Sequence, residues 1–318
     1  MHAAVVTDFT KPPAYQDFPC PTTNAENEVV VDVIAAGLHP LVRSRAAGTH
    51  YTSTGELPLV PGIDGVGRAP DGTLRYFVVA TALGAMAEKT VVDLRRSIVL
   101  PDDADPVAIA AAMNPAMSSW VALRRRVGLQ PGQTVVILGA TGSAGRLAVQ
   151  AAKHLGAGTV IGIGRNRRQL DTLPDLGADD VIALDELAAN LDRVLGADIV
   201  IDYVWGRPAA DLMAGFARGR HDSAQPLAWV QIGSMAGAGA DIPSAALRSI
   251  PLQIVGSGIG SVPVADILAE LPELATAISN GTLRTQARAV PLSEVEQVWQ
   301  QPENGQRVAF IPDGQSTT

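Results

Sequence analysis

The chain has a single cysteine, Cys20, so neither an intrachain disulfide nor a thiolate-built structural zinc site can form. That scarcity suits a reducing compartment. A basic excess is also missing: 24 Lys and Arg stand against 32 Asp and Glu, a formal charge of -8, which leaves no electrostatic footprint for nucleic acid and no polybasic patch for a membrane. The opening residues MHAAVVTDFTKPPAY lack a charged segment followed by an apolar one, and no later apolar run of about 18 residues is expected. No fixed-period repeat or low-complexity block occurs. A cytoplasmic protein with a small-molecule substrate is therefore expected, without nucleic-acid or membrane partners. What is present is apolar bulk: 47% of the residues are hydrophobic and 18% charged, enough for a sizeable core. At roughly 100–200 residues per domain, 318 residues make two domains. The tail GQSTT after Pro312 is expected to fray.

From Thr134 onward short β-branched runs alternate with helical periods, the pattern of βαβ units on a parallel sheet. The candidate strands are TVVIL (134–138), TVIGI (159–163), DVIA (180–183), DIVIDY (198–203), LAWVQI (227–232) and PLQIV (251–255). Several are apolar on both faces, as strands between two helix layers must be, so an α/β fold with a doubly wound parallel six-stranded sheet is expected. Before Leu129 the strands, such as VVVDVIAAG and AVVTDF, are separated by Pro-rich turns and read as an antiparallel, barrel-like domain, with Asp71-Gly72 as a hairpin turn. Asp105 and Pro106 suit the cap and first turn of a helix, and a second helical stretch is expected from Ser118 to Val127. After Ser261 come a helix from Val264 to Ser279 interrupted at Pro272, a short helix around Ser293 to Gln300 and a closing strand from Arg307 to Ile311. The expected organisation is 1–126, 127–260 and a return to the first domain over 261–318.

The most informative segment is TVVILGATGSAGRLAVQAAKHLGAGTVIGIGRN, residues 134–166. Gly139, Gly142 and Gly145 form G-x-x-G-x-x-G between a strand and a helix, a variant of the dinucleotide fingerprint with Ala140 at the usual first glycine. Ala140, Thr141 and Gly142 allow a sharp turn close to a pyrophosphate, and Gly145 allows the helix to pack on the sheet. The helix then places Ala144, Leu147, Ala148, Ala151 and Leu155 on one apolar face, with its N-terminus towards the phosphates and Gly156 as its end. Three glycines alone would be weak; the flanking strand, helix and second strand at the required spacing make the pattern specific. NAD-binding folds carry an acidic residue at the end of the second strand, whereas this chain has Gly164, Arg165, Asn166, Arg167 and Arg168. A 2′-phosphate could meet Arg165 and Asn166, so NADPH is expected over NADH.

With that turn placed, the chain resembles the medium-chain dehydrogenase/reductase superfamily, in its zinc-independent quinone oxidoreductase-like branch. The resemblance runs nearly end to end. It is carried by AAGLHPLVRSRAAGTHY (35–51), LPLVPGIDGVG (57–67), AAAMNPAMSSWVAL (110–123), the glycine turn with AVQAAK, and RVAFIP (307–312). It implies a GroES-like β-rich catalytic domain beside the Rossmann domain, and a homodimer paired through the sheet edge at Pro251 to Val255. It places Tyr51 and His39 at the mouth of the cleft as catalytic candidates and Ser118 at the nicotinamide end. Ser143 and Ala144 fall on pyrophosphate positions, Val204 near the adenosine, and Gly233, Ser234, Ser257 and Gly258 on loops after the last two strands. The metal ligands of zinc-dependent relatives are absent: their Cys is replaced within GLHPLVRS, and Ile63 stands where their Gly-His-Glu motif has histidine. No bound metal is expected. Two departures are notable, Gln169 for a frequent lysine and Leu184 for a frequent tyrosine, so that Arg165 and Arg168 would take over the 2′-phosphate.

Without a metal, the reaction that fits is hydride delivery to a quinone or an α,β-unsaturated carbonyl, with Tyr51 or His39 hydrogen-bonding the carbonyl oxygen. Tyr51 could equally be a ring wedged on the cofactor. The alternatives are a zinc-free alcohol dehydrogenase or enoyl reductase, and, in another class, an NADPH-binding sensor without turnover.

Overall fold

A computed structural model describes residues 1–79, 81–302 and 305–314; most of the tail expected to fray lies outside the described residues. The chain divides into two compact units, Met1–Asn114 with Leu271–Thr318, and Pro115–Glu270. The divisions fall before 126 and after 260.

In the second unit the apolar runs become a wholly parallel sheet because residues alternate between two buried faces. In β8 (Thr134–Leu138), Val135 and Ile137 belong to one core layer, while Val136 and Leu138 belong to the other. The same alternation holds for β9 (Thr159–Gly164), where Val160 faces the first layer and Ile161 and Ile163 the second. With β10 (Asp180–Ala183), β11 (Ile199–Asp202), β12 (Leu227–Gln231) and β13 (Leu252–Gly256), the spatial order is β10-β9-β8-β11-β12-β13. The order reverses between β8 and β11, the place where open parallel sheets bind ligands at their carboxyl ends. Helix α3 (Ser143–His154) covers one face and ends at Leu155 and Gly156, whose φ is 101°. All six candidate strands form.

The first unit holds a seven-stranded sheet in the order β14-β15-β3-β4-β5-β7, with β6 also on β3. These are β3 (Glu28–Gly37), β4 (Asp64–Arg68), β5 (Leu74–Val78), β6 (Lys89–Asp93), β7 (Ser97–Val99), β14 (Ala287–Pro291) and β15 (Arg307–Ile311); β1 (His2–Val5) and β2 (Ala14–Asp17) pair separately. All pairings are antiparallel except β14 with β15. The turn between β4 and β5 is the expected Asp71-Gly72 hairpin: Gly72 has φ 86° and the Asp71 carboxylate accepts from Thr73 N at 3.0 Å. Phe310 and Val308 of β15 enter the same core as Val31, Val33 and Phe77, so the last stretch of chain completes this unit.

Two helix expectations change. The stretch from Ser118 is not a second helix: α2 (Pro106–Val121) is one α-helix that passes through Pro115 and runs on into a π-turn, Ala122–Arg126. Asp105 caps it as expected, accepting from Val107 N at 2.8 Å and Ala108 N at 3.1 Å. Likewise Val264–Ser279 is continuous through Pro272. A proline removes one backbone hydrogen bond but its fixed φ is helical, and surrounding packing can hold the helix together. The first helix also departs from the expectation of no long apolar run: over Pro106–Arg126 an 18-residue window reaches a mean hydropathy of 1.2. Of that window 67% is buried inside the protein, the setting of a core helix.

Glu270 is only 2% exposed and ties the second unit together: it accepts from Trp120 Nε1 at 3.0 Å and pairs with Arg124 at 2.7 Å and Arg125 at 2.5 Å. Glu270→Ala is expected to cost about 1.5–3 kcal/mol, since hydrogen bonds to a buried charge are lost while the half-exposed arginines partly recover water. Chemical denaturation of the variant against wild type measures it; an unchanged midpoint would remove the role.

Candidate active site

The glycine turn is built as its spacing demands, with one refinement. The left-handed residue is Gly139, φ 95°, while Ala140 is fully buried and Gly142 is extended at φ −76°. The amides of Gly139 and Ala140 both donate to Ile163 O, at 2.9 and 2.8 Å, fastening the turn to β9. Gly145 is the tightest point: a Cβ there would lie 2.2 Å from Gly139 O and 2.7 Å from Ala140 Cα. Gly142, by contrast, is exposed, and a Cβ there would meet only Gly139 O at 3.6 Å. The loop outside α3 is therefore open where a diphosphate would approach, next to the positive end of a twelve-residue helix. Ser143 and Ala144 form its first turn.

The end of β9 has a definite reason to be glycine. A Cβ on Gly164 would stand 2.4 Å from Thr141 Cγ2 and 2.7 Å from its Oγ1, so Thr141 fills the place of a side chain there and excludes an acidic residue. The basic residues that follow do not behave alike. Arg167 is committed to Asp185 at 3.0 Å and Glu186 at 2.9 Å, and those carboxylates raise its pKa. Asn166 caps the next helical turn, its Oδ1 accepting from Gln169 N at 3.2 Å. Arg165 and Arg168 are exposed, and among the described residues neither has a carboxylate at ion-pair distance.

Sequence reasoning missed Arg146. It lies on α3 and donates from Nη1 to Gln169 Oε1 at 2.9 Å and Thr172 Oγ1 at 2.6 Å, both uncharged, while burial alone lowers its pKa. Among the described residues this half-buried guanidinium has no carboxylate partner, and it sits on Gln169. An arginine one turn into the fingerprint helix was the available signal.

The loop after β11 is held by Asp202, also missed. Its Oδ1 accepts from Val204 N at 2.7 Å and Trp205 N at 2.8 Å, and its Oδ2 from Trp229 Nε1 at 3.0 Å; burial raises its pKa against these bonds. Val204 is thereby placed over the turn: a Cβ on Gly139 would come within 3.0 Å of its Cγ2. Ser118 shares a 2.9 Å hydrogen bond with the hydroxyl of Tyr203, whose pKa burial pushes up to about 12, keeping it protonated. Gly233 approaches so closely that a Cβ would lie 2.5 Å from Tyr203 O. Ser234 is exposed beside it, and Ser257 and Gly258 follow β13, with Ser257 N donating to Gln231 O at 2.9 Å. The cofactor candidates of this unit therefore gather at the carboxyl ends of β8, β9, β11, β12 and β13.

The catalytic candidates belong to the first unit. Tyr51 is 72% exposed, its ring tilted against His50 at 4.2 Å. His39, expected at an open mouth, is instead 2% exposed. Its Nε2 lies 3.1 Å from Asp64 Oδ1, and Tyr76 donates its hydroxyl to Asp64 Oδ2 at 2.8 Å. Burial and the Asp64 carboxylate hold the Tyr76 pKa well above its ordinary value, so the phenol stays a donor. The imidazole is drawn inwards because Asp64, fully buried, needs partners and because Gly37 leaves room: a Cβ there would lie 2.6 Å from the ring. Among the described residues His39 Nδ1 has no hydrogen-bond partner and is buried. Among the described residues no group of three or more His, Cys, Asp or Glu is placed to hold a metal.

The family model described as zinc-binding dehydrogenase matches residues 144–215, which span α3 to the helix after β11. A protein of Emericella nidulans, named as a probable NADPH-dependent quinone reductase, is 32% identical over 98% of this chain and 100% of its own length. The fold is shared with the quinone oxidoreductase of Thermus thermophilus, solved also with NADPH, at a TM-score of 0.80 and 24% identity over 98% of this chain and 100% of that one. It is shared as well with the Escherichia coli quinone oxidoreductase complexed with NADPH, at a TM-score of 0.82 and 20% identity over 98% and 100% of the two chains. The glycine turn, the six parallel strands in this order and a full-length relative at this identity establish that the chain belongs to the medium-chain dehydrogenase/reductase superfamily, among its quinone oxidoreductase-like members.

Proposed function

We propose that this protein is an NADPH-dependent oxidoreductase that reduces quinones or α,β-unsaturated carbonyls without a metal ion, as a cytoplasmic homodimer. The observation that carries the reading is the end of β9. Thr141 fills the place of an NAD-selecting carboxylate, and Arg146, Arg165 and Arg168 offer guanidiniums that no carboxylate among the described residues holds. The full-length relative named for NADPH-dependent quinone reduction supports the same cofactor and substrate class. Bound NADPH supplies the hydride, and the chain supplies position and exclusion of water. The turn from Gly139 to Gly145 holds the diphosphate, the arginines hold the 2′-phosphate, and the Ser118–Tyr203 hydroxyl pair serves the nicotinamide end. Val204, Gly233, Ser234, Ser257 and Gly258 line the cofactor. Tyr51 donates a hydrogen bond to the acceptor oxygen as negative charge develops there. The outer strand β13 supplies the edge through which two copies pair.

Loss of NADPH absorbance with a panel of quinones and enones tests the reading. Oxidation of simple alcohols instead would mark an alcohol dehydrogenase, activity confined to enoyl thioesters an enoyl reductase, and NADPH binding without any turnover a sensor. Within the reading, Tyr51→Phe is expected to lower kcat/KM for quinones roughly tenfold to a hundredfold, the value of one hydrogen bond to a charged group. The KM for NADPH should stay put. An unchanged kcat/KM would assign the ring to wedging alone.

A further inference from the structure

The segment after α1 (Pro40–Ala46) folds over a small cavity in the first unit, about 30 Å³ in volume. Phe9, Val60, Pro61 and Ile63 give it apolar walls, and Arg45, Ser53, Thr54 and Thr81 contribute its polar lining; Thr81 Oγ1 donates to Leu83 O and Thr54 Oγ1 accepts from Glu56 N. Among the described residues Arg45 and Ser53, by contrast, lack side-chain partners. Among the described residues the Arg45 guanidinium has neither an ion pair nor a hydrogen bond, and burial depresses its pKa with no carboxylate acting to restore it. The hydroxyl of Ser53 is buried and makes no hydrogen bond to any described residue. Arg45 also lowers the pKa of neighbouring His50, adding to the effect of burial, so its charge is felt inside this segment.

A half-buried cation and a buried hydroxyl on one cavity share a missing complement: a group that only accepts, carries negative charge and has two oxygens. A water could satisfy Ser53, but it could not neutralise Arg45. A carboxylate does both, one oxygen meeting the guanidinium and the other the hydroxyl. The volume is roughly one water's share of the liquid, the scale of a carboxylate head rather than a bulkier anion, so the rest of the acid would lie outside it. Tyr51 lies between Arg45 and Ser53 in the chain, so an anion fixed here is fixed at the base of the segment that carries the proposed donor.

We propose that this cavity is a carboxylate subsite, and that the natural acceptor is an acid-bearing quinone or enone. The second half of the statement rests on the function proposed above; the first does not. Benzoate is the probe, with benzamide as its neutral match, titrated into the intact protein by calorimetry and followed at the His50 ring by NMR. Benzoate should bind and shift His50, and benzamide should do neither. Arg45→Leu should weaken benzoate roughly tenfold to a hundredfold, Ser53→Ala by a smaller factor, and Arg45→Lys should restore part of the loss. If Arg45→Leu does not fold, Arg45→Gln and Ser53→Ala carry the same comparison. In turnover, the ratio of kcat/KM for a carboxylated quinone to that for its parent should exceed one and fall at least tenfold in the Arg45 variant. Equal binding of benzoate and benzamide, or benzoate binding indifferent to Arg45, overturns the subsite. Benzoate binding that depends on Arg45, with no quinone or enone reduced, upholds the subsite and defeats the oxidoreductase reading.

Discussion

Gly145→Val is expected to abolish NADPH binding and to lower Tm by several degrees. The added carbon would stand 2.2 Å from the Gly139 carbonyl oxygen and 2.7 Å from Ala140 Cα, both backbone atoms of the turn itself. The neighbours cannot give way by rotating a side chain, so helix and turn must part. Forced overpacking costs about 1–3 kcal/mol, which for a unit of this size is about 2–4 °C per kcal/mol. Gly142→Ala is the matching control: its Cβ has open space apart from a 3.6 Å contact, and φ is −76°, which any residue accepts. That variant should keep its Tm while losing cofactor affinity, because the methyl group would occupy the approach to the diphosphate. Calorimetric melting with and without NADPH separates the two. Normal NADPH binding by the valine variant would mean that the turn is not the cofactor cradle.

The second large effect concerns cofactor choice. Removing Arg146 and Arg165 together is expected to cut the ratio of kcat/KM for NADPH over NADH by about a hundredfold or more, with each alone giving roughly tenfold, on the scale of hydrogen bonds to a charged group. Arg167→Ala is expected to leave the ratio alone, since that fork is already shared by Asp185 and Glu186. The contacts are partly exposed, so the NADPH KM of the wild type should also rise with ionic strength, and that rise should flatten in the double variant. Equal losses with both nucleotides would place the two arginines on a part of the cofactor common to both.

Arg146 also shows where reading along the chain stops. Its place in the fingerprint helix is visible from the glycine spacing, but its partner Gln169 lies 23 positions further on, and their meeting depends on which way α3 turns over β9. The same holds for Ser118 and Tyr203, which meet across 85 positions, and for Asp202, whose buried bonds fix the loop carrying Val204.

Local pattern alone settled the six parallel strands, the turn at Gly139 to Gly145, the Asp105 cap and the missing carboxylate at Gly164, because apolar period, glycine spacing and capping chemistry act over a few residues. The packing of distant segments decided the rest. Asp64 and Tyr76, 25 and 37 positions beyond His39, drew that imidazole into the core, and surrounding packing carried two helices through Pro115 and Pro272. A side chain's type limits what it can do chemically, but its partners, and hence its charge, burial and reach, are set only when remote strands and helices close around it.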